Sequence, residues 1–376
     1  MAASRGRCKP LCESGFDVRI WLALAMLFFL FRIAGWAIAD LWQDEEITVV
    51  DFAIGNPSAS ILHVFRNYPV ANNHVLFSAV MWCWVRLIRY NPAEYLLRLP
   101  AIIAGLGTLG VIGLQWRKWL GARLAAYTAV LFAVSPVFSA FAYQVRGYSL
   151  SLLLAALAVT GLVELCEGDT KRGLAYTLPT AFLLPMVIPT NVLLIAAHLP
   201  VIVFMRHKER AFRETLSLTV LIAAALAAGC GYYLAIWPEF TSALAKITGW
   251  NSGWLVAGNF GLAFCAHLGI VVFIVPQHAY RMICRSRGSR TRSDAKDDWQ
   301  LPVLLFGTTA LCMAVFLLLA PRPPFPRVFL VFLPGLSFAC LFLLRNHAIW
   351  SRVSPWLLFL LIAACGVVWE AGASGL

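Results

Sequence analysis

Long apolar stretches follow one another along the chain, separated by short polar segments. They lie near 18–39, 74–90, 98–115, 124–143, 148–165, 173–205, 215–235, 259–280, 301–320, 328–344 and 353–369. A helix that crosses a hydrocarbon core of about 30 Å needs about 20 predominantly apolar residues. The runs approach or exceed that length, and they lack the alternation of a membrane β-strand. The 173–205 run is too long for one straight span, and Pro179, Pro185, Pro189 and Pro200 would divide it. The pattern predicts an all-α integral membrane protein with about 11 to 13 transmembrane helices. It is read as one polytopic domain over 1–376, with no sizeable soluble domain.

The polar segments predict sidedness. The N-terminus, the 206–213 loop, the 281–300 loop and the 345–352 loop are basic and are assigned to the cytoplasm. That places 40–73, 236–258 and 321–327 on the outer side. Arg117-Lys118 and the 144–147 segment resist this scheme, because counting spans and the positive-inside rule disagree there. The 40–73 loop is far longer than a turn needs. It carries Asp40, Asp44, Glu45, Glu46 and Asp51, and Ile47, Val50 and Ile54 recur at helical spacing before Gly55-Asn56-Pro57. Two short helices lying on the membrane surface are expected, the second capped by Ser58 or Ser60. The 236–258 loop, with Trp237, Trp250 and Trp254, has the same interfacial character. Ile20 to Ala39 is longer than a usual signal-peptide core and Arg32 interrupts it, so an uncleaved first helix is expected.

Composition agrees with lipid as solvent. The chain is 61% hydrophobic and only 13% charged, against about 25% charged in a soluble domain. Its mean hydropathy is +0.77. The net charge of +12 comes from short basic clusters between apolar runs, which argues against a nucleic-acid partner. The ten cysteines show no CxxC pair and no Cys/His cluster at zinc spacing.

Four polar clusters carry candidate chemistry. Trp42-Gln43-Asp44-Glu45-Glu46 stands just outside the first helix. Carboxylates at a lipid boundary are costly unless solvated or used, although they also suit a helix start. Asn72-Asn73-His74 opens the second run. Gln144-Val145-Arg146-Gly147-Tyr148 separates two apolar runs, and Pro321-Arg322-Pro323-Pro324-Phe325-Pro326-Arg327 precedes a later one. An arginine fork near lipid suits phosphate, with a lipid-headgroup contact or snorkelling as the plain alternative. Carboxylates and arginines at one level suit transfer from a lipid-phosphate donor to a hydroxyl or amine. A carboxylate would act as base and the arginines would stabilise the departing phosphate.

In this order, these residues resemble the polyprenyl-phosphate-dependent glycosyltransferases of the GT-C fold, in particular glycosyltransferase family 39, with the protein O-mannosyltransferases and the lipid A aminoarabinose transferases. Asp44-Glu45 matches the acidic pair after the first span, and Asn73-His74-Val75 loosely matches the element opening the second. Arg98-Leu99-Pro100 matches an Arg-Leu-Pro. Ser135-Pro136 with Gln144 to Tyr148 matches a Ser-Pro and Gln-x-Arg-x-Tyr stretch. Arg327 with Leu333-Pro334 matches a late Pro-x-Arg and Leu-Pro. The match is dense from about 40 to 160 and thin afterwards.

The resemblance implies an inverting sugar transfer on the outer face, with Asp44 as base. The active site would face the periplasm or outside from an inner membrane. Glu45 would orient the acceptor, or join Asp44 in holding a divalent metal ion. Arg146 and Arg327 are the candidate donor-phosphate contacts, joined by Asn73, His74 and Lys246. Arg98 and Tyr148 are assigned to structure or substrate. Val75 stands where the family has proline, and no acceptor-recognition module follows the last span. The acceptor is therefore an unspecified lipid, glycan or protein. The competing readings are a transporter or flippase of a lipid-linked sugar and a non-catalytic membrane scaffold. A transporter would be expected to show inverted repeats with broken helices at the midplane, and no such repeat is visible.

Overall fold

A computed structural model describes residues 17–54, 60–66, 68, 73–91, 93–207, 212–246, 252–268, 299–320 and 324–345. The described residues are helical throughout, apart from turns and short connections. Seven helices among them are long and apolar enough to cross a membrane, or eight if one bent pair counts as a span. The expected span 353–369, most of the 281–300 loop and the end of the 259–280 run lie outside the described residues.

Helix α1 (Val18–Ala37) is capped by Asp17, whose carboxylate accepts the Arg19 N–H at 2.8 Å. Arg32, which interrupts its apolar sequence, donates to the Val134 carbonyl at 2.7 Å. That carbonyl is at the end of α7 (Ala122–Val134), where Pro136 starts α8 (Pro136–Ala142) at a bend of 67°. Proline disfavours helical backbone in the residue before it. Ser135 is accordingly extended, and its hydroxyl caps α8 by accepting the Phe138 N–H at 3.3 Å.

Helix α9 (Tyr148–Cys166) is the central post, buried around most of its circumference. It packs against α5 (Glu94–Gln115), α10 (Thr170–Val187) and α11 (Val192–His207). The long 173–205 run does break in two. The break is at Ile188, extended before Pro189, with a 3₁₀ turn over Pro189–Asn191. Pro179, Pro185 and Pro200 remain inside helices. Small residues let the helices approach. A Cβ on Gly161 of α9 would meet Thr177, and one on Gly229 of α12 (Phe212–Ala235) would meet the Phe182 carbonyl.

One expected span is not a span. Helix α4 (Val75–Leu87) is only 13 residues long, and it lies across the first turns of α5. Phe77, Met81 and Val85 pack with Leu97 and Ala101, and with Val49 and Ala53 of the 40–73 loop. Arg86 near the end of α4 donates to the Ala53 carbonyl at 3.2 Å, and Trp84 donates to Leu96 at 2.8 Å. Both ends of α4 therefore stay at the level where α1 ends and α5 begins. Without this crossing, counting spans puts Arg117-Lys118 on the same side as the basic N-terminus and puts the 144–147 segment on the side of the 40–73 loop. Lys118 pairs with Glu164 and with Glu167 at 3.2 Å, and Arg172 approaches Glu164 at 3.3 Å. Arg206 donates to the Leu165 carbonyl at 2.9 Å. These basic residues gather at the Cys166 end of α9, opposite its Tyr148 end.

The surface helices also differ from expectation in detail. The 40–73 loop opens with α2 (Gln43–Glu46), which runs on as a π-helix over Ile47–Ile54. The buried positions are Thr48, Val49, Phe52 and Ala53, while Val50 is exposed. The wider π turn moves the buried face off the Ile47, Val50, Ile54 spacing of an α-helix. A second short helix, α3 (Leu62–Arg66), follows.

Replacing Gly229 with leucine is expected to destabilise the protein by about 1–3 kcal/mol, because the packed helices cannot yield to the added volume. Gly258 has nothing within 4 Å of an added Cβ, so Gly258→Leu should leave the melting temperature unchanged. Thermal unfolding of both variants in one detergent checks this.

Candidate active site

The acidic segment outside α1 is held by a buried ion pair. Glu45 stands at the third position of α2, 2% exposed, facing Arg98 in the first turns of α5, also 2% exposed. Arg98 Nε donates to Oε1 at 3.1 Å and Nη2 to Oε2 at 2.6 Å, a two-pronged pairing. The remaining acceptor positions are also used. Oε1 takes the Val145 N–H at 2.8 Å, and Oε2 takes the Trp42 N–H at 3.3 Å. The other face of the guanidinium is filled by carbonyls at the end of α1. Nη1 reaches Trp36 at 2.7 Å, Ala37 at 3.2 Å and also Ala39, while Nη2 reaches Asp40 at 3.1 Å. Arg98 thus satisfies the carbonyls that a helix end leaves open. Glu45 is committed to this clamp, and it has no acceptor site left for a substrate or a metal ion. Every one of these Arg98 guanidinium hydrogen bonds goes to a protein group.

The same clamp fixes Asp44. Glu45 bonds the Val145 backbone, and the next residue, Arg146, pairs with the Asp44 carboxylate. Arg327 approaches the same oxygen, Asp44 Oδ2, at 3.3 Å. Arg146 is 1% exposed, whereas Asp44 and Arg327 are each 23% exposed. One carboxylate therefore bridges two guanidiniums, the buried Arg146 and the partly exposed Arg327. Arg327 comes from a 3₁₀ helix over Pro326–Phe332, and its guanidinium also lies 4.7 Å from the Phe325 ring. The Tyr148 ring is 5.1 Å from the Arg146 guanidinium.

His74 and Asn73 support the arginine segment and the loop. His74 Nδ1 accepts the Gly147 N–H at 2.7 Å, and its ring meets Tyr148 edge-on at 5.2 Å. Asn73 is buried, donating to Val64 at 3.4 Å and accepting from the Ser78 hydroxyl at 2.8 Å. Both thereby set the backbone on either side of the cluster. Lys246 follows α13 (Trp237–Ala245) and is exposed. Two contributors escaped the sequence reading. Val145 acts through its N–H, which no side-chain pattern reveals. Gly147 acts through space, since an added Cβ would lie 2.6 Å from Val187 and 3.0 Å from His74. Its place between Arg146 and Tyr148 was the one available signal.

The residues present do not fit a divalent cation. Asp44 faces two guanidiniums, Glu45 is enclosed, and no group of three His, Cys, Asp or Glu converges among the described residues.

The fold has a known counterpart. ArnT from Cupriavidus metallidurans, solved bound to undecaprenyl phosphate, superposes with a TM-score of 0.57 at 18% sequence identity. The alignment covers 93% of this chain and 64% of that one, so the chain spans under two thirds of its neighbour's length. The fold is GT-C. No family model matches the sequence, and no curated protein matches it either. The GT-C bundle expected from the ordered motifs of residues 40–160 is thus the architecture found, and the likeness extends well beyond the segment that carried those motifs.

Replacing Arg98 with leucine should cost about 3–5 kcal/mol, the loss typical of breaking a buried pair and stranding its partner. Arg98→Leu combined with Glu45→Leu should recover part of that loss. A double-mutant cycle on thermal stability reads the coupling directly, and additive effects would show that the clamp contributes nothing.

Proposed function

We propose that this protein is a membrane glycosyltransferase that moves a sugar from a polyprenyl-phosphate donor to an acceptor hydroxyl or amine, with inversion at the sugar carbon. The observation that carries this reading is Asp44 beside Arg146 and Arg327, at one end of the GT-C bundle. A lipid-borne phosphate lying in the boundary layer would enter at that level. The ArnT neighbour was solved with undecaprenyl phosphate, which supports a donor of the same chemistry here.

In the transfer step the acceptor oxygen or nitrogen attacks the anomeric carbon and its proton passes to Asp44. The bond between that carbon and the phosphate oxygen breaks, and its electron pair leaves with the phosphate. A phosphodiester with one negative charge becomes a phosphomonoester with two. Arg146 and Arg327 meet the charge that grows during the step, which is where electrostatic stabilisation lowers a barrier. A buried arginine such as Arg146 is set in place before the reaction and needs little reorganisation. Tyr148 would pack its ring on the Arg146 guanidinium, and His74 would hold the Arg146 segment through Gly147. Glu45 and Arg98 act as positioning residues.

The basic end of the bundle, with Lys118, Arg172 and Arg206, is assigned to the cytoplasm by the positive-inside rule. The site would then face the outer side of a plasma membrane.

Purified protein incubated with a radiolabelled polyprenyl-phosphate sugar and a membrane-lipid extract should move label into a new product. Asp44→Asn should lower turnover by about 10² to 10⁴, the range for loss of a general base, while the protein still folds and inserts. Retained activity in Asp44→Asn would remove Asp44 from the base role. Movement of intact donor across reconstituted vesicles, without transfer, would replace the enzyme with a transporter.

A further inference from the structure

The arginines proposed to take the donor phosphate already hold an anion. Asp44 Oδ2 is shared between Arg146 and Arg327. A carboxylate bridging two guanidiniums offers the same acceptor chemistry as a phosphate oxygen. The buried partner makes this arrangement necessary rather than incidental. Arg146 is 1% exposed, and a guanidinium so enclosed needs a counter-ion when no ligand is bound. Asp44 supplies it from a segment that Glu45 and Arg98 hold in register with Val145. Arg327 reaches the same oxygen from the opposite side of the sequence, on a 3₁₀ helix.

We propose that Asp44 is the intramolecular stand-in for the donor phosphate, so that donor binding displaces its carboxylate from Arg146 and Arg327 and thereby releases the base for the acceptor. This inference rests on the donor reading above and adds an order of events to it. Asp44 Oδ2 is engaged by two guanidiniums. An incoming phosphate takes both forks, and Asp44 is freed beside the anomeric carbon only once a donor is present. The loop Trp42–Glu46 needs no large movement, because the clamp at Glu45 stays closed while the neighbouring side chain turns. The base is thus armed by the donor. The positive charge the phosphate requires is kept compensated until the donor arrives.

The inference separates binding from catalysis in an unusual direction. A residue that merely helps to build the site would weaken donor binding when removed. A competing anion would strengthen it. The probe is undecaprenyl phosphate itself, titrated against full-length protein in lipid nanodiscs. Wild type is compared with Asp44→Asn and Asp44→Ala, the two variants guarding against misfolding of either. Both should bind about tenfold more tightly than wild type, the scale of releasing one charge-assisted contact, and the lipid should raise their melting temperature by more than it raises wild type's. Arg327→Gln should weaken binding in each background.

Equal or weaker binding by both Asp44 variants would overturn the inference while leaving the donor reading intact. Binding unaffected by Arg327→Gln would place the phosphate elsewhere and also overturn it. Absence of binding by wild type and variants alike would defeat the donor reading, and the inference with it.

Discussion

Arg98 lies at the meeting point of four segments, and the geometry of the site depends on it. Its guanidinium holds the end of α1 through the carbonyls of Trp36, Ala37 and Asp40, and the start of α2 through Glu45. Glu45 in turn holds Val145, and so fixes the Arg146 segment. Such a pair carries a large desolvation cost, and the structure repays it by filling every donor and acceptor position with a partner. The result is rigidity where a loop of acidic residues would otherwise wander. A base must stand within hydrogen-bond reach of the proton it takes, and a clamp one residue away is an economical way to set that position. Glu45 and Asp44 are adjacent in sequence but divide the work. Glu45 is enclosed, and Asp44 is partly exposed.

The position of α4 has a similar consequence on a larger scale. A 13-residue apolar helix is too short to cross easily, and its buried face is used up by the surface helices and the first turns of α5. By staying at one level it brings His74 to Gly147 and Tyr148. It also sets the direction in which α5 and α9 run. The basic residues 117–118, 172 and 206 consequently share the end of the bundle remote from Asp44.

Under the proposed function, the two arginines at Asp44 form an anion site that carries its own counter-charge. Fully buried cations are unstable alone, yet a preorganised phosphate site needs cations already in place. An internal carboxylate reconciles the two demands, because its pairing is reversible and it can be exchanged for a ligand with more acceptor oxygens. Arg327, less buried than Arg146, is the arginine through which that exchange would begin.

The sequence by itself determined that the chain is helical and lipid-solvated, because apolar run length and charge distribution are local properties. It also determined the order in which acidic and basic clusters occur, and from that order the GT-C fold. A break in the 173–205 run was legible from its length and its four prolines, and the structure placed it at Ile188-Pro189, whereas the bend at Ser135-Pro136 inside the 124–143 run was not read from the sequence. Tertiary structure alone decided the rest. Run length near 74–90 looked sufficient for a span, but packing on α5 kept α4 at the surface. Ile47, Val50 and Ile54 recur at α-helical spacing, but in the π turn Val49, Phe52 and Ala53 are the buried positions, Ile54 is partly buried beside them and Val50 is exposed. Composition and spacing did not separate Asp44 from Glu45, and only the family resemblance gave them different expected roles. Their different surroundings came from partners 53 and 102 positions away in the chain, Arg98 and Arg146, and a contact across such a distance leaves no mark on local composition or spacing.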